Sequence, residues 1–429
     1  MRTGRREWLL SCRAHVWLKA AFAACLWMLP LPILSQQPQW IATWASSPEA
    51  ADPDPDEELL NLRGQTVRER VRISLGGSQI RLQFSNEYGN SPLLLGGVSV
   101  GIARSNTDVV PSSLRKVTFA GSDTITIPAG ADLISDPVAL SVSNGSELAI
   151  SVYVPKQIKS ITWHSLALKK SVITQKGDHT RDFVVKSEKT SDSLVFLSRV
   201  LVASRPGRRV IVAFGDSIVD GDKSTPEADR TWPSDLFRRL QRTDDKLAFA
   251  VVNEGVAGNR LLNDGPFKSL GVSGVARFER DALGVPGVSE IVLLEGTNDI
   301  GFPGARLGDL LLAPAVDAPT TDEIVAGYKK LIQLSHARGI RIIGCTIMPT
   351  EGATIANYHT EAKERTRQAV NDWIRTSKGF DGVIDFDVVM RDPRHPGRLI
   401  PNLASDDHLH PNDAGYEKMA DEIDLSIFQ

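Results

Sequence analysis

The spacing of apolar residues changes once along this chain, near residue 205. Before that point apolar positions recur every second residue in short runs. In RERVRISLGGSQIRLQF (68–84), Val71, Ile73 and Leu75 alternate with polar neighbours, and after Gly76-Gly77 the alternation resumes at Ile80, Leu82 and Phe84. Two period-two runs joined by a pair of glycines predict a hairpin. Similar runs follow in LLLGGVSVGIA (93–103), DTITIPAG (123–130), ELAISVYVP (147–155), ITWHSLAL (161–168) and SLVFLSRVLVA (193–203), with turn residues between them. Many short strands without an intervening amphipathic helix predict an all-β sandwich or jelly roll over 37–205.

After SRPGRR (204–209) the texture is different. RRVIVAF (208–214) is almost continuously apolar, as a parallel strand covered on both faces should be. Helical and strand patterns then alternate. The helices are predicted in TWPSDLFRRLQR (231–242), TDEIVAGYKKLIQLSHARG (321–339) and HTEAKERTRQAVNDWIRTS (359–377). The strands are predicted in AFAVVNEG (248–255), EIVLLEG (290–296), IRIIGCTIMP (340–349) and GVIDFD (382–387). Ile324, Tyr328, Leu331 and Ile332 form one stripe of the second helix, and Gly339 is its stop. This order predicts a doubly wound α/β domain over 206–429, with any site in the loops that follow the strands.

The first residues belong to neither pattern. Arg2, Arg5, Arg6, Arg13 and Lys19 precede the apolar stretch AAFAACLWMLPLPILS (20–35), and polar residues follow. A basic start, a short apolar middle and a small residue near its end predict an export signal over 1–36. The stretch is short for a spanning helix and two prolines interrupt it, so no stable membrane insertion is expected once it is removed. The expected location is periplasmic or extracellular. Cys12 and Cys25 fall in this signal, which leaves Cys345, in an apolar strand, without a disulfide partner.

Bulk composition narrows the partners. Of 429 residues, 41% are hydrophobic and 24% charged, as in an ordinary globular protein. A net charge of −3 supplies no field for nucleic acid or an anionic membrane, and points to a neutral or weakly charged substrate.

Four motifs carry the candidate chemistry: AFGDSIVDG (213–221), NEGVAGNR (253–260), LEGTNDIG (294–301) and SDDHLHPNDAGY (405–416). Ser217 follows a strand, where a sharp strand-to-helix turn exposes a hydroxyl and leaves a backbone N–H free; Ser217 or Asp216 could equally cap the helix. Gly258 lets an N–H point into a cleft, or is a plain turn glycine. Asn298 is a donor that does not titrate, or bonds its own loop. Asp407, three residues before His410, can hold Nδ1 and leave Nε2 for a serine. Asp406, Asp407, His408 and His410 are also a possible metal cluster, and His408 a rival base.

Together these motifs closely resemble those of the SGNH (GDSL-type) hydrolase superfamily, over essentially all of 209–429. Stretches such as AVNDWIRTSKGFDGVIDFDVVMRDP (369–393), and IRLQFSNEYGNSPLLLGGVSV (80–100) upstream, resemble its secreted bacterial, xylanolytic-esterase-like branch. The resemblance implies a three-layer α/β/α (flavodoxin-like) domain and hydrolysis of carboxylic esters with neither cofactor nor metal. It implies Ser217 as nucleophile, His410 as base, Asp407 as its orienting group, and Ser217, Gly258 and Asn298 as oxyanion donors. The expected substrate is a small ester or an acylated glycan, such as an O-acetylated polysaccharide. A lipase or lysophospholipase is the alternative, and a carbohydrate-binding protein with an inactive hydrolase half is a further one. FPGARLGDLLLAPAVDAPTTDE (302–323) is expected to wall the pocket, its leucine run lining an acyl site or packing on the core. Trp40, Trp44, Tyr88 and Trp163 are candidates to stack on sugar rings, or belong to the core and interfaces.

Overall fold

The computed structural model describes residues 39–53, 58–158, 160–242 and 249–429. The predicted export signal, with Cys12 and Cys25, lies outside them. In the N-terminal half two antiparallel sheets share a core. One has, in spatial order, strands Ser187–Ser191, Ser171–Lys176, Gln65–Arg72, Glu147–Val154, Gly97–Ile102 and Arg115–Val117. The other has Gln39–Ala45, Leu197–Ser204, Ile80–Ser85 and Asp132–Ile134. Alternate residues of both sheets, among them Val67, Val71, Ile150 and Val152 from one and Ile80, Leu82, Phe84 and Val200 from the other, meet in one apolar cluster. This is the predicted sandwich.

The predicted hairpin at Gly76-Gly77 does not form. Gln65–Arg72 and Ile80–Ser85 lie in different sheets, so the chain crosses the sandwich there. A two-residue hairpin of the expected kind needs positive φ, and neither glycine has it. Their lack of a side chain serves close approach instead. Gly77 exchanges backbone hydrogen bonds with Val142 at 3.0 and 2.9 Å, and a Cβ on Gly76 would lie 2.2 Å from the Val142 carbonyl oxygen.

The C-terminal half is built on a five-stranded parallel sheet in the spatial order Phe249–Gly255, Arg209–Gly215, Val288–Leu294, Arg341–Cys345 and Gly382–Ile384. The first strand in sequence, Arg209–Gly215, shows why the sheet has two covers. Val210, Val212 and Phe214 face helices Thr321–His336 and Glu361–Thr376. Ile211 and Ala213 face helices Trp232–Arg242 and Asp413–Asp421. This is the three-layer α/β/α arrangement. Fully burying a side chain the size of Phe214 contributes about 1.5–3 kcal/mol. Helix Thr321–His336 begins with a capping box between Thr320 and Glu323, buries the predicted stripe, and is followed by Gly339 at φ +68°. Cys345 is a buried, unpaired strand residue whose thiol burial pushes well above its ordinary pKa.

The sheet order places a switch point between Arg209–Gly215 and Val288–Leu294, whose following segments run to opposite sides and open a crevice at the strand ends. The two halves are parts of one compact unit, Pro38–Gln429. Ile41, Ala42, Ala45, Leu75 and Leu201 of the sandwich join the apolar cluster of the α/β half, and the Ala42 N–H donates to the Pro286 carbonyl at 2.8 Å. Among the described residues no helix is long and apolar enough to cross a membrane.

Candidate active site

Ser217 opens a four-residue helix, Ser217–Asp220, directly after the strand that ends at Gly215. Asp216 caps that helix by accepting the Ile218 N–H at 3.0 Å, so the capping reading holds for Asp216 while Ser217 keeps its hydroxyl. That hydroxyl lies 2.8 Å from His410 Nε2. His410 Nδ1 lies 2.7 Å from Asp407 Oδ2, while Asp407 Oδ1 accepts from the N–H groups of Leu409 and His410 and the Ser405 hydroxyl. Three donors thus lock the carboxylate that locks the ring. With Nδ1–H committed to Asp407, Nε2 is left as the acceptor for the serine proton.

The electrostatics agree with this tautomer. Burial opposes charge on Asp407, but the hydrogen bonds and charge of His410, with the Ser405 hydroxyl, hold its carboxyl well below the usual range. Burial works against the charged form of His410 too. Its hydrogen bond to Asp407 and the charges of Asp222, Asp407 and Asp216 outweigh that, and raise its pKa above the ordinary value. Asp222 Oδ2 is 3.7 Å from Nε2, on the serine side of the ring.

Two further motifs converge on the same place. Gly258 follows strand Phe249–Gly255 with φ +72°, a conformation that suits glycine, and a Cβ there would meet Leu270 at 2.8 Å. Asn298 lies in the short helix Thr297–Gly301 after strand Val288–Leu294. It does not bond its own loop. Its Nδ2 donates to the carbonyl of Asn259, next to Gly258, at 2.9 Å, and its Oδ1 accepts the Tyr358 hydroxyl at 2.7 Å. Burial and the surrounding carboxylates push the Tyr358 phenol well above its ordinary pKa, so it remains a donor.

Arg277 ties these strand ends together from below. Its guanidinium donates to the carbonyls of Gly215 at 2.7 Å and Glu254 at 2.8 Å and to Asn259 Oδ1 at 2.8 Å, and lies over the Phe214 ring at 3.9 Å. Gly215 leads into Ser217, and Asn259 follows Gly258. Around it, burial pushes Asp216 up to about 6, and burial with the charge of Asp281 pushes Glu254 up to about 8.

Sequence reasoning singled out Ser217, Gly258, Asn298, Asp407 and His410, and the fold gathers all five. Tyr358, Asp222 and Arg277 were missed. Asp222 directly follows the first motif, but the other two bear no motif and act through tertiary contacts. His408, the rival base, adopts φ +55°, and it is His410 that meets Ser217. Asp407 is spent on His410. Among the described residues, the His, Asp and Glu side chains with metal-ligand spacing are instead Glu49, His164 and Asp220. Segment 302–323 is divided. Leu312 packs with Phe302, Tyr358 and Leu409, whereas Leu310 and Leu311 stand exposed on a short hairpin with Leu307. The four aromatics of the sandwich form no open platform: Trp163 is buried, Trp40 lies beneath Arg81, Tyr88 beneath Arg280, and Trp44 packs on the core.

Residues 213–418, which hold all four motifs, match the model of the GDSL-like lipase/acylhydrolase family. The α/β half of this chain belongs to that family. It is therefore a carboxylic ester hydrolase. No curated protein matches the chain. Solved GDSL-type and related structures are similar at a TM-score of 0.36. They include a carbohydrate acetylesterase family member from Sinorhizobium meliloti (16% identity, covering 50% of this chain and 94% of that one). They also include the acetylxylan esterase Axe2 from Geobacillus stearothermophilus (20% identity, 50% and 91%) and a GDSL-like lipase from Bacteroides thetaiotaomicron VPI-5482 (16%, 51% and 88%).

Proposed function

We propose that this GDSL-like hydrolase cleaves short-chain carboxylic esters by an acyl-enzyme mechanism, with Ser217 as nucleophile, and that its substrate is an O-acylated carbohydrate outside the cytoplasm. The observation that carries the mechanism is the unbroken line from Ser217 Oγ through His410 to Asp407, at 2.8 and 2.7 Å. His410 Nε2 takes the serine proton as Oγ attacks the ester carbonyl, and Asp407 stabilises the imidazolium. The oxyanion is received by the N–H groups of Ser217 and Gly258 and by the Asn298 Nδ2 hydrogen not given to Asn259. His410 then passes its proton to the departing alcohol, and activates the water that hydrolyses the acyl-serine.

The carbohydrate part rests on the predicted export signal and on the near-neutral charge, which suits an uncharged polymer. The test is Ser217→Ala on folded protein: p-nitrophenyl acetate turnover should vanish, and retained turnover removes Ser217 from the scheme. Acetate release from a panel of acetylated polysaccharides, beside an acyl chain-length series, tests the substrate. A lipase-type reading is favoured by one observation, the exposed Leu307, Leu310 and Leu311 on the hairpin that follows the Asn298 helix. A rate that peaks at C8 or longer would select it.

A further inference from the structure

Among the contacts between the sandwich and the catalytic half, one from a histidine reaches the helix that carries Ser217. His164 ends the strand Thr162–His164, and Glu49 stands on the adjacent strand, Glu49–Ala50. His164 Nδ1 lies 3.2 Å from Glu49 Oε1 and 3.1 Å from the Ser47 carbonyl oxygen, and its Nε2 lies 3.1 Å from Asp220 Oδ1. All three side chains are buried. Asp220 closes the helix that Ser217 opens. Its second oxygen, Oδ2, accepts the N–H of Ala257 at 3.1 Å, one residue before Gly258.

These contacts leave the turn little freedom on its other side. A Cβ on Gly255 would lie 2.2 Å from the Asp220 backbone nitrogen, so the helix turn rests directly on the strand end. Asn253 Nδ2 donates to the carbonyls of Val219 and Asp220 at 2.7 and 3.2 Å, and the Val256 N–H donates to Gly215 at 3.0 Å. The Asp220 carboxylate is the side chain that crosses from the nucleophile's helix to the turn before the glycine.

We propose that His164, supplied by the β-rich half, is a positioning residue for ester hydrolysis: held between Glu49 and Asp220, it fixes the carboxylate that orients the Ala257–Gly258 turn and hence the Gly258 N–H. This rests on the esterase reading above. The three side chains have metal-ligand spacing, but the ring presents a different nitrogen to each carboxylate, as a hydrogen-bonded imidazolium does. Burial opposes a charge on His164, yet Asp220 and Glu49 outweigh it and raise its pKa well above the ordinary value. A cation between two buried carboxylates holds both in place, whereas removing it leaves Asp220 free to turn from Ala257.

The experiment compares wild type with His164→Gln, which keeps the bulk and loses the charge, and with the milder Glu49→Gln in case the first fails to fold. For p-nitrophenyl acetate, kcat should fall about 10- to 100-fold in His164→Gln and about 2- to 5-fold in Glu49→Gln, with KM within about twofold, as for a weakened oxyanion donor. Affinity for phenylboronic acid, which forms a tetrahedral adduct on serine, should fall in parallel. Amide hydrogen exchange over 253–260 should quicken in both variants. A lowered melting temperature with unchanged kcat, boronate affinity and exchange would make the cluster merely structural and overturn the proposal. So would stoichiometric metal in wild type that is absent from His164→Gln. An inactive wild type whose 253–260 exchange still depends on His164 would sink the esterase reading and leave the clamp standing.

Discussion

The Tyr358 hydroxyl donates to Asn298 Oδ1 at 2.7 Å, and with Nδ2 on the Asn259 carbonyl this fixes which end of the amide is nitrogen. Tyr358 is placed to orient the donor without touching substrate. Tyr358→Phe should keep the ring's packing on Phe302 and lower kcat by about 3- to 10-fold with KM nearly constant, the scale of one neutral hydrogen bond. Gly301→Ala should produce a similar loss, because a Cβ there would lie 2.3 Å from the Tyr358 ring. Steady-state kinetics on a short p-nitrophenyl ester checks both.

Asn298→Ala removes the donor itself. A lost oxyanion donor costs about 2.7–4 kcal/mol, so kcat should fall by about 10²–10³ while KM moves little. A pure KM effect would contradict the assignment. In the Asn298→Ala background, Tyr358→Phe should add almost nothing, since its partner is already gone.

Asp222 gives the pH profile a sign. His410 acts as a base only when neutral, so kcat/KM should rise with pH through the raised His410 pKa. Asp222 is one of the charges that raise it. Asp222→Asn should therefore move the acid limb of the profile to lower pH, and a shift to higher pH would exclude this role. A pH–rate series on both proteins decides.

The exposed leucines separate the two substrate readings. If the enzyme acts on short acyl groups, Leu310→Ser with Leu311→Ser leaves acetyl-ester kinetics within about twofold, because truncating exposed side chains removes no buried contact. A selective loss on C8 esters in the same variant would move the assignment toward a lipase.

The period of the apolar pattern revealed both architectures, and it did so for a local reason. Val210, Val212 and Phe214 against Ile211 and Ala213 show a strand buried on two faces without reference to anything distant. Ser217, Gly258 and Asn298 were legible because each sits beside a strand end whose position the pattern already predicts, and Asp407 with His410 because of their three-residue spacing. What stayed hidden is long-range. Gly76-Gly77 looks like a hairpin turn because sequence shows two glycines but not the sign of their φ. Tyr358 and Arg277 are a tyrosine between Asn357 and His359 and a helix arginine until tertiary structure sets them against Asn298 and Gly215. His164 lies in a run that reads as any short strand, and its partner Asp220 is in the other half of the chain.

The strand Gln39–Ala45 bears on how this protein is made. Its ladder partner is Leu197–Ser204, and Ala42 also donates to Pro286. During synthesis this strand therefore emerges long before either partner exists. Ile41 and Ala42, which end in the apolar cluster of the α/β half, stay uncovered until most of the chain has left the ribosome. The entropy of closing so long a loop is met late, and contacts of this kind slow folding. The nascent protein thus carries an apolar strand without its ladder partner until about half of the chain has been made, and an unpaired strand of this kind is open to pairing with other chains.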